Sequence, residues 1–523
     1  MSPAANLENA GEDQAAVIAF LMRPESYPDR PPEVSRIDTH GAVIFLAGHS
    51  AYKLKRAVRL AYLDFSTQEK RKAVCEREFA LNQPNAPKLY RGVVAVTRGG
   101  DGALQLGGSG EPVDWVIEME RFADEQLFDR LAVAGNLNSA LIEKLAEVVE
   151  RFHAAAPVHK ESGWPGSLGP IVRNVVRALS GIDKATKIGG MPGYATALQD
   201  RLRAHRELLT ERRAAGLVRR CHGDLHLKNI VLIDGAPCLF DALEFDEDLA
   251  RIDVLYDLAF LLMDLWHRGL KAEAHTSLNH YFSRDVAGIE WRGLALLPFF
   301  LSLRAAIRAM VALDGLSLVE GDKHAALGEI RDYAQLAEAL LSPGPPMLIA
   351  IGGLSGTGKS TVAHAIATDF GAVPGAIILR SDVERKLMRG AELVEHLGAE
   401  AYAPEARNAV YSRLLHKAEA ILQTGHCVIL DAVFPEPHQR ERPKAIAERL
   451  GIPFLGIWLE ASKEQMLARV AVRRGDASDA NTSVVLRQLE STVPPSDWCQ
   501  VDASGRTDET AAKVRGLLRS GSI

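Results

Sequence analysis

Cysteine is scarce in this chain: there are five in 523 residues, at positions 75, 221, 238, 427 and 499, and no C-x-x-C pair. An odd, scattered set argues against a disulfide framework or a zinc knuckle and fits buried thiols in a reducing cytosol. Long uninterrupted apolar runs are also missing. The most apolar stretch, from Leu294 to Leu313, is broken by Pro298, Arg304 and Arg308. It predicts a buried helix rather than a membrane span. The opening residues are acidic and polar, without the basic start and apolar core of a signal peptide. The expectation is a cytoplasmic protein with no membrane partner. Neither sign of charge is in large excess: 61 Lys and Arg stand against 67 Asp and Glu, a net of −6. No global basic field recruits nucleic acid, and no strip of aromatic and basic residues offers to stack bases, so nucleic acid is not an expected partner. Internal repeats and low-complexity tracts are absent as well.

The length suggests two to four domains at roughly 100–200 residues each. The strongest break is "LLSPGPPM", Leu340 to Met347, where three prolines and a glycine end a long helical pattern. The expected division is a disordered tail over 1–12, a first domain over 13–342, a linker over 343–346 and a second domain over 347–523. The first domain opens with strands: "AVIFLAG" and "AYKLKRAV" flank a turn at His49 and Ser50 and form a hairpin. A helix is expected around "STQEKRKAVCEREFALN", with strands at "RGVVAVTR" and "DWVIEMERF". From about Asn136 to Leu341 the pattern is mostly helical. The second domain alternates "MLIAIGG", "AIILRSD", "HCVILDAVF" and "PFLGIWLE" with helical stretches, which predicts a doubly wound parallel sheet.

Gly353-Leu354-Ser355-Gly356-Thr357-Gly358-Lys359-Ser360 satisfies G-x-x-x-x-G-K-[ST], and Thr361 continues it into a helix. Glycines let backbone N–H groups turn in around nucleotide phosphates. Lys359 is placed for the β/γ oxygens and the Ser360 hydroxyl for Mg²⁺. The helix start aims its positive end the same way. Past the next strand, "RSDVERK" places Asp382 and Arg385 three apart, where both would point from the sheet's carboxyl edge into the cleft. There Asp382 would deprotonate an acceptor hydroxyl and Arg385 would hold an anion; the alternative for Asp382 is a helix cap. Asp431 ends the strand "CVILD" in the manner of a metal-holding Walker-B acid. Arg469, Arg473 and Arg474 precede a polar loop and suit a lid that neutralises charge while excluding water. Together these residues resemble the small P-loop kinases of metabolites, a group that includes gluconate-kinase-like, zeta-toxin-like and 5′-hydroxyl polynucleotide kinases. The resemblance covers about Met347 to the end.

The first domain carries a different device. His222-Gly223-Asp224-Leu225-His226-Leu227-Lys228-Asn229 has the form H-G-D-x-H-x-x-N, with Asp224 and Asn229 five apart as in the H-R-D-x-x-x-x-N catalytic loop. Asp241 follows at the end of "PCLFD". Here the chain resembles the aminoglycoside phosphotransferase and choline kinase-like family, relatives of the protein kinases. The resemblance implies Asp224 as catalytic base, Asn229 and Asp241 as metal ligands, and Asp257 as a brace of the catalytic loop. It also implies a strand lysine for the phosphates with a helix glutamate beside it. Lys53 and Lys55 both qualify; Lys53 is preferred, with Glu78 as its partner. Adenine is expected at a hinge near Met119 to Arg121. The G-x-G-x-x-G loop is absent, and Asp241 is followed by Ala-Leu rather than Phe-Gly.

The expected fold class is therefore α/β and multidomain. A protein-kinase-like bilobal fold, with a small β lobe and a large helical lobe, precedes a doubly wound P-loop domain. The expected function is bifunctional phosphoryl transfer from ATP, with Mg²⁺, to small-molecule hydroxyl groups. The alternative is one catalytic domain joined to a nucleotide-dependent regulatory module.

Overall fold

The structure is a computed structural model; it describes residues 13–39, 41–60, 63–161, 163–283, 291–316, 322–473 and 475–519. The tail expected over 1–12 and the lid residue Arg474 lie outside these. The chain divides into two compact units, Met1–Leu168 with Leu209–Leu261, and Gly169–Leu208 with Leu262–Ile523.

In the first unit, alternating apolar residues build a six-stranded sheet. Its spatial order is Val34–Asp38, Ala42–Ala47, Ser50–Lys55, Glu111–Glu120, Tyr90–Arg98, Leu104–Leu106. The hairpin forms as expected, but Ala47 pairs Ser50, so the turn is Gly48–His49 rather than His49–Ser50. Val43, Phe45, Tyr52, Leu54 and Val116 pack one face. The helix Gln68–Asn82 starts where the Thr67 hydroxyl accepts from the Lys70 N–H. Its Arg71 is buried against Asp114 at 2.9 Å, and Gln14 donates to the same carboxylate at 2.8 Å. A second buried pair, Arg212 with Asp253, is bidentate at 2.7 and 2.8 Å. Such pairs are costly to break from one side, because the remaining charge is left in a dry interior.

In the second unit, five parallel strands lie in the order Ile377–Arg380, Val428–Asp431, Leu348–Gly352, Phe454–Glu460, Cys499–Asp502. The central strand is buried at every position, as expected when helices cover both faces. Ile349, Ile351, Val362, Ile366, Ile429 and Ile457 form its core. The fifth strand, "CQVD", is an addition to the four read from sequence. It is short and alternates with exposed polar residues, so it lacks the apolar run that marked the others. The expected buried helix is also present. Trp291–Gly315 is long and apolar enough to cross a membrane by length and composition, yet 67% of its most apolar window is buried, the packing of a core helix. Arg304 within it is buried, and Arg308 stacks on the Tyr333 ring at 5.6 Å.

The same unit joins the helices before the prolines to the parallel sheet. The edge strand Ile377–Arg380 is covered by the helix Lys271–Phe282: Asn279 Oδ1 accepts from the Ile378 N–H at 2.8 Å, and His275 Nε2 donates to the Ala376 carbonyl at 2.9 Å. Burial pushes the His275 pKa down to about 4, so the ring is neutral at pH 7 and keeps the proton on Nε2 for Ala376. Asn279→Leu would leave the Ile378 N–H without that acceptor, at about 1–3 kcal/mol. The expected result is a lower thermal midpoint and faster hydrogen exchange at Ile378; an unchanged exchange rate there would show that the edge is held by other means.

Candidate active sites

In the first unit the loop Cys221–Asn229 is held by its backbone. Asp257 accepts from the N–H groups of His222 at 3.0 Å and Gly223 at 2.9 Å, and lies 3.1 Å from His153 Nε2. Gly223 sits at φ +83°, and a Cβ there would meet Leu243 at 3.0 Å, so the turn requires glycine. Burial lowers the His222 pKa, against the pull of Asp257 and Asp224. His222 thus stands neutral, with Nε2–H donating to the Phe240 carbonyl at 2.9 Å. Asn229 Nδ2 donates to both the Asp224 carbonyl, at 3.0 Å, and its Oδ2, at 2.9 Å. His226 Nε2 lies 3.3 Å from the same Oδ2. One Asp224 oxygen is thereby fixed on a half-exposed side chain.

Asp241 lies at φ +59°, its N–H donating to the Tyr90 hydroxyl at 3.1 Å. Lys53 Nζ sits 2.5 Å from Asp241 and 2.8 Å from Glu78. Burial opposes the charged forms here, but the mutual attraction wins: the Asp241 carboxyl is held below its ordinary pKa and the Lys53 ammonium well above its own. Asp224 acts on Asp241 in the opposite direction. Lys55 takes part too, 2.5 Å from both Glu78 and Glu244. Asp246, by contrast, caps a short helix through the N–H groups of Asp248 and Leu249. At the expected hinge, Met119 is buried, and the N–H groups of Glu120 and Arg121 already donate to the carbonyls of Leu89 and His49. The backbone N–H groups of Glu120 and Arg121 are therefore already engaged by the protein itself.

In the second unit the glycine-rich loop leads from the central strand into the helix Lys359–Ile366. Gly356 lies at φ +89°, and a Cβ would come 2.6 Å from the Met466 carbonyl. The loop borders a cavity of about 260 Å³, lined by Ser355, Gly356, Gly358, Lys359, Ser360 and Thr361 together with Arg380, Asp382, Asp431, Arg469, Arg473 and Asp476. Gly353, Leu354 and Thr357 are not in that lining and shape the loop from behind: Leu354 O accepts from Lys359 Nζ at 3.1 Å and from the Thr357 hydroxyl at 2.9 Å. Burial lowers the Lys359 pKa, partly offset by Asp431 and Asp382. Ser360 Oγ donates to Asp431 at 2.5 Å.

Asp382 lies in the first turn of the helix Ser381–Met388, whose cap position is Arg380 rather than Asp382. Arg385 departs from the expected orientation. It is buried, outside the cavity lining, and donates to Asp382 at 3.2 Å and to the Ala401 carbonyl at 3.2 Å while lying over the Tyr402 ring at 4.5 Å. Of the lid arginines, Arg469 donates to the Ala503 carbonyl at 2.9 Å and to those of Gly356 and Thr357 at 3.4 Å, and Arg473 lies 3.6 Å from Asp476.

Arg380 was not singled out from the sequence, although a strand's carboxyl end before Ser381-Asp382 is where a cleft residue belongs. It reaches Asp431 at 3.4 Å and Asp476 at 2.6 Å. Asp476 and Asp479 were missed as well. Asp479 accepts from Lys386 Nζ at 2.9 Å and from the Tyr402 hydroxyl at 2.6 Å. For both, burial is outweighed: by Arg380 at Asp476, and by the hydrogen bonds of Tyr402 and Lys386 at Asp479. Each carboxyl is held below its ordinary pKa. Folded values below the unfolded value of about 3.9 mean that the tethering is fully present above that pH and is lost as pH falls through the lower folded values. Hydrogen exchange over residues 475–481, corrected for intrinsic rates, should show protection between pH 5 and 7 that disappears on acidification below about pH 4. Protection that does not weaken at all on acidification below about pH 4, or that is already gone at pH 6, would contradict this tethering.

Comparison with known proteins adds the following. The model described as "Phosphotransferase enzyme family" matches residues 75–297, and that described as "AAA domain" matches 348–495. Uncharacterized proteins from Mycobacterium tuberculosis and Mycobacterium bovis are 30% identical over 502 residues, covering 94% of this chain and 96% of theirs. An adenylyl-sulfate kinase from Myxococcus xanthus is 31% identical over 118 residues, 22% of this chain and 59% of its own. Among solved structures, the Mycobacterium tuberculosis APS kinase CysC with AMPPNP and APS is 22% identical, covering 34% of this chain and 99% of that one at a TM-score of 0.27. A choline/ethanolamine kinase family protein from Mesorhizobium loti is 14% identical, covering 62% and 95% at a TM-score of 0.38.

Proposed function

This chain, in which a phosphotransferase-type domain precedes a P-loop kinase-type domain, belongs to the family of those mycobacterial proteins, and from that premise we propose that each domain transfers the γ-phosphoryl group of ATP to a hydroxyl group of a small molecule. We take the first domain as 13–342 and the second as 347–523, in a cytoplasmic enzyme. The observation that carries the reading is a duplicated constellation. In each unit an aspartate in a loop or first helical turn, a half-buried lysine and a further carboxylate are gathered on sheet and loop ends: Asp224, Lys53 and Asp241 in the first, Asp382, Lys359 and Asp431 in the second.

In the first domain Asp224 receives the acceptor proton. Asn229 and His226 restrain one of its oxygens, and Asp257 fixes the loop that carries it. Lys53 draws the nucleotide phosphates while Glu78 holds its ammonium. In the second domain the loop amides and Lys359 grip the phosphates. Asp382 takes the acceptor proton, and Arg385 holds Asp382 from behind rather than reaching the cleft. Arg469 braces the glycine-rich loop through its carbonyls, and Arg473 faces the transferred group. We take Asn229 and Asp241 in the first domain, and Ser360 with Asp431 2.5 Å from it in the second, as the oxygen donors for a hard cation such as Mg²⁺. When bound, it would neutralise charge on the phosphate oxygens.

Full-length protein incubated with labelled ATP, magnesium and a metabolite extract should yield two sets of phosphorylated products resolved by mass spectrometry. Asp224→Asn should reduce one set by about 10²–10⁴-fold, the range for a lost general base, and leave the other. Lys359→Ala should do the reverse. Survival of both sets in the double variant would refute the assignment; a single set that responds to only one of the changes would favour a catalytic domain with a regulatory companion.

A further inference from the structure

The strand Ser50–Lys55 places two lysines, two residues apart, on one face. Both converge on Glu78, which is fully buried. Its two oxygens are divided between them: Oε1 lies 2.8 Å from Lys53 Nζ and Oε2 lies 2.5 Å from Lys55 Nζ. Each lysine then reaches outward to one more acid, Lys53 to Asp241 at 2.5 Å and Lys55 to Glu244 at 2.5 Å. The result is a row of alternating sign: Asp241, Lys53, Glu78, Lys55, Glu244. Two ammonium groups stand against three carboxylates, so the row carries one negative charge in excess.

The two lysines are not equivalent. Lys53 ends on Asp241, whose side chain is 37% exposed. Lys55 ends on Glu244, whose side chain is 7% exposed, and its own is 4% exposed, with the Phe65 ring 5.6 Å away. Lys53 is thus the member at the open end, and Lys55 is sealed in. A lone lysine serving both a buried glutamate and a phosphate faces a conflict. As it leans toward the phosphate, the glutamate loses its counter-charge, and an uncompensated buried carboxylate pulls the lysine back.

We propose that Lys55 is a positioning residue for the nucleotide site of the first domain: anchored by Glu244, it holds the second oxygen of Glu78, so that Lys53 is free to exchange Asp241 for a nucleotide phosphate. This rests on the reading that the domain binds ATP with a divalent cation. Lys55 itself does not touch the nucleotide. Its effect runs through Glu78 and Lys53, and Glu244 matters only as its anchor.

The test uses the full chain carrying Lys359→Ala, so that the P-loop site is silenced. Calorimetry measures a non-hydrolysable ATP analogue with magnesium, and separately manganese chloride alone. Lys55→Met should weaken nucleotide binding at least tenfold while binding of the bare cation holds or tightens, because three carboxylates then face one ammonium. Lys55→Arg, which keeps a cation beside the second oxygen of Glu78, should retain most of the nucleotide affinity. Unchanged nucleotide binding in Lys55→Met would overturn the proposal. So would a joint loss of nucleotide and cation binding in Lys55→Met, the signature of a merely structural role. A parent protein that binds no nucleotide would instead refute the reading of the domain on which the proposal stands.

Discussion

A carboxylate taken out of water persists as an anion only beside a cation or a set of N–H donors, and both sites are organised by that requirement. Catalysis of phosphoryl transfer needs acids in a dry cleft. This chain meets the need by giving each acid a partner, in places a shared one. Asp257 has two backbone N–H groups, Asp241 has Lys53, Glu78 has two lysines, Asp431 has the Ser360 hydroxyl and Arg380, and Asp476 has Arg380 again. At 2.5–3.4 Å such contacts are worth far more in a low-dielectric cleft than on the surface. They also fix direction, and direction is what a proton acceptor and a phosphate clamp require.

The same economy links structure to dynamics. Arg380 joins Asp431 to Asp476, so the loop that carries Asp476 is tied down by charges that also border the cleft. In the first unit, Lys53 bridges the glutamate of a helix and the aspartate of a loop, and a phosphate would compete with the second of these contacts. In both places the anion that a cation now holds is the one that substrate charge would replace. The sites are poised for exchange of partners, without the need to create new charges.

Much of this was legible in the sequence, for identifiable reasons. The glycine-rich loop and the H-G-D-x-H-x-x-N loop are local, and their spacing alone encodes the geometry. The central parallel strands are apolar throughout because both faces are covered. The strand Cys499–Asp502 escaped notice because it is short and half polar, so the partner strand decides it rather than its own pattern. Arg380, Asp476 and Asp479 escaped because their meaning lies in contacts between residues about a hundred positions apart. Arg385 was expected to point into the cleft and hold an anion, since a three-residue spacing does not reveal that Tyr402, Ala401 and Asp382 capture the guanidinium. The helix Lys271–Phe282 gave no sign that Asn279 and His275 would finish the edge of a sheet beyond the proline segment.

The central claim is that one chain grips nucleotide at two independent places, once through peptide amides and Lys359 and once through Lys53 and the acids around it. The most direct measurement is the stoichiometry of a non-hydrolysable ATP analogue on the unmodified full-length protein, with magnesium, by equilibrium dialysis at saturation. The account predicts two molecules per chain. A saturating value of one, or none, would contradict it.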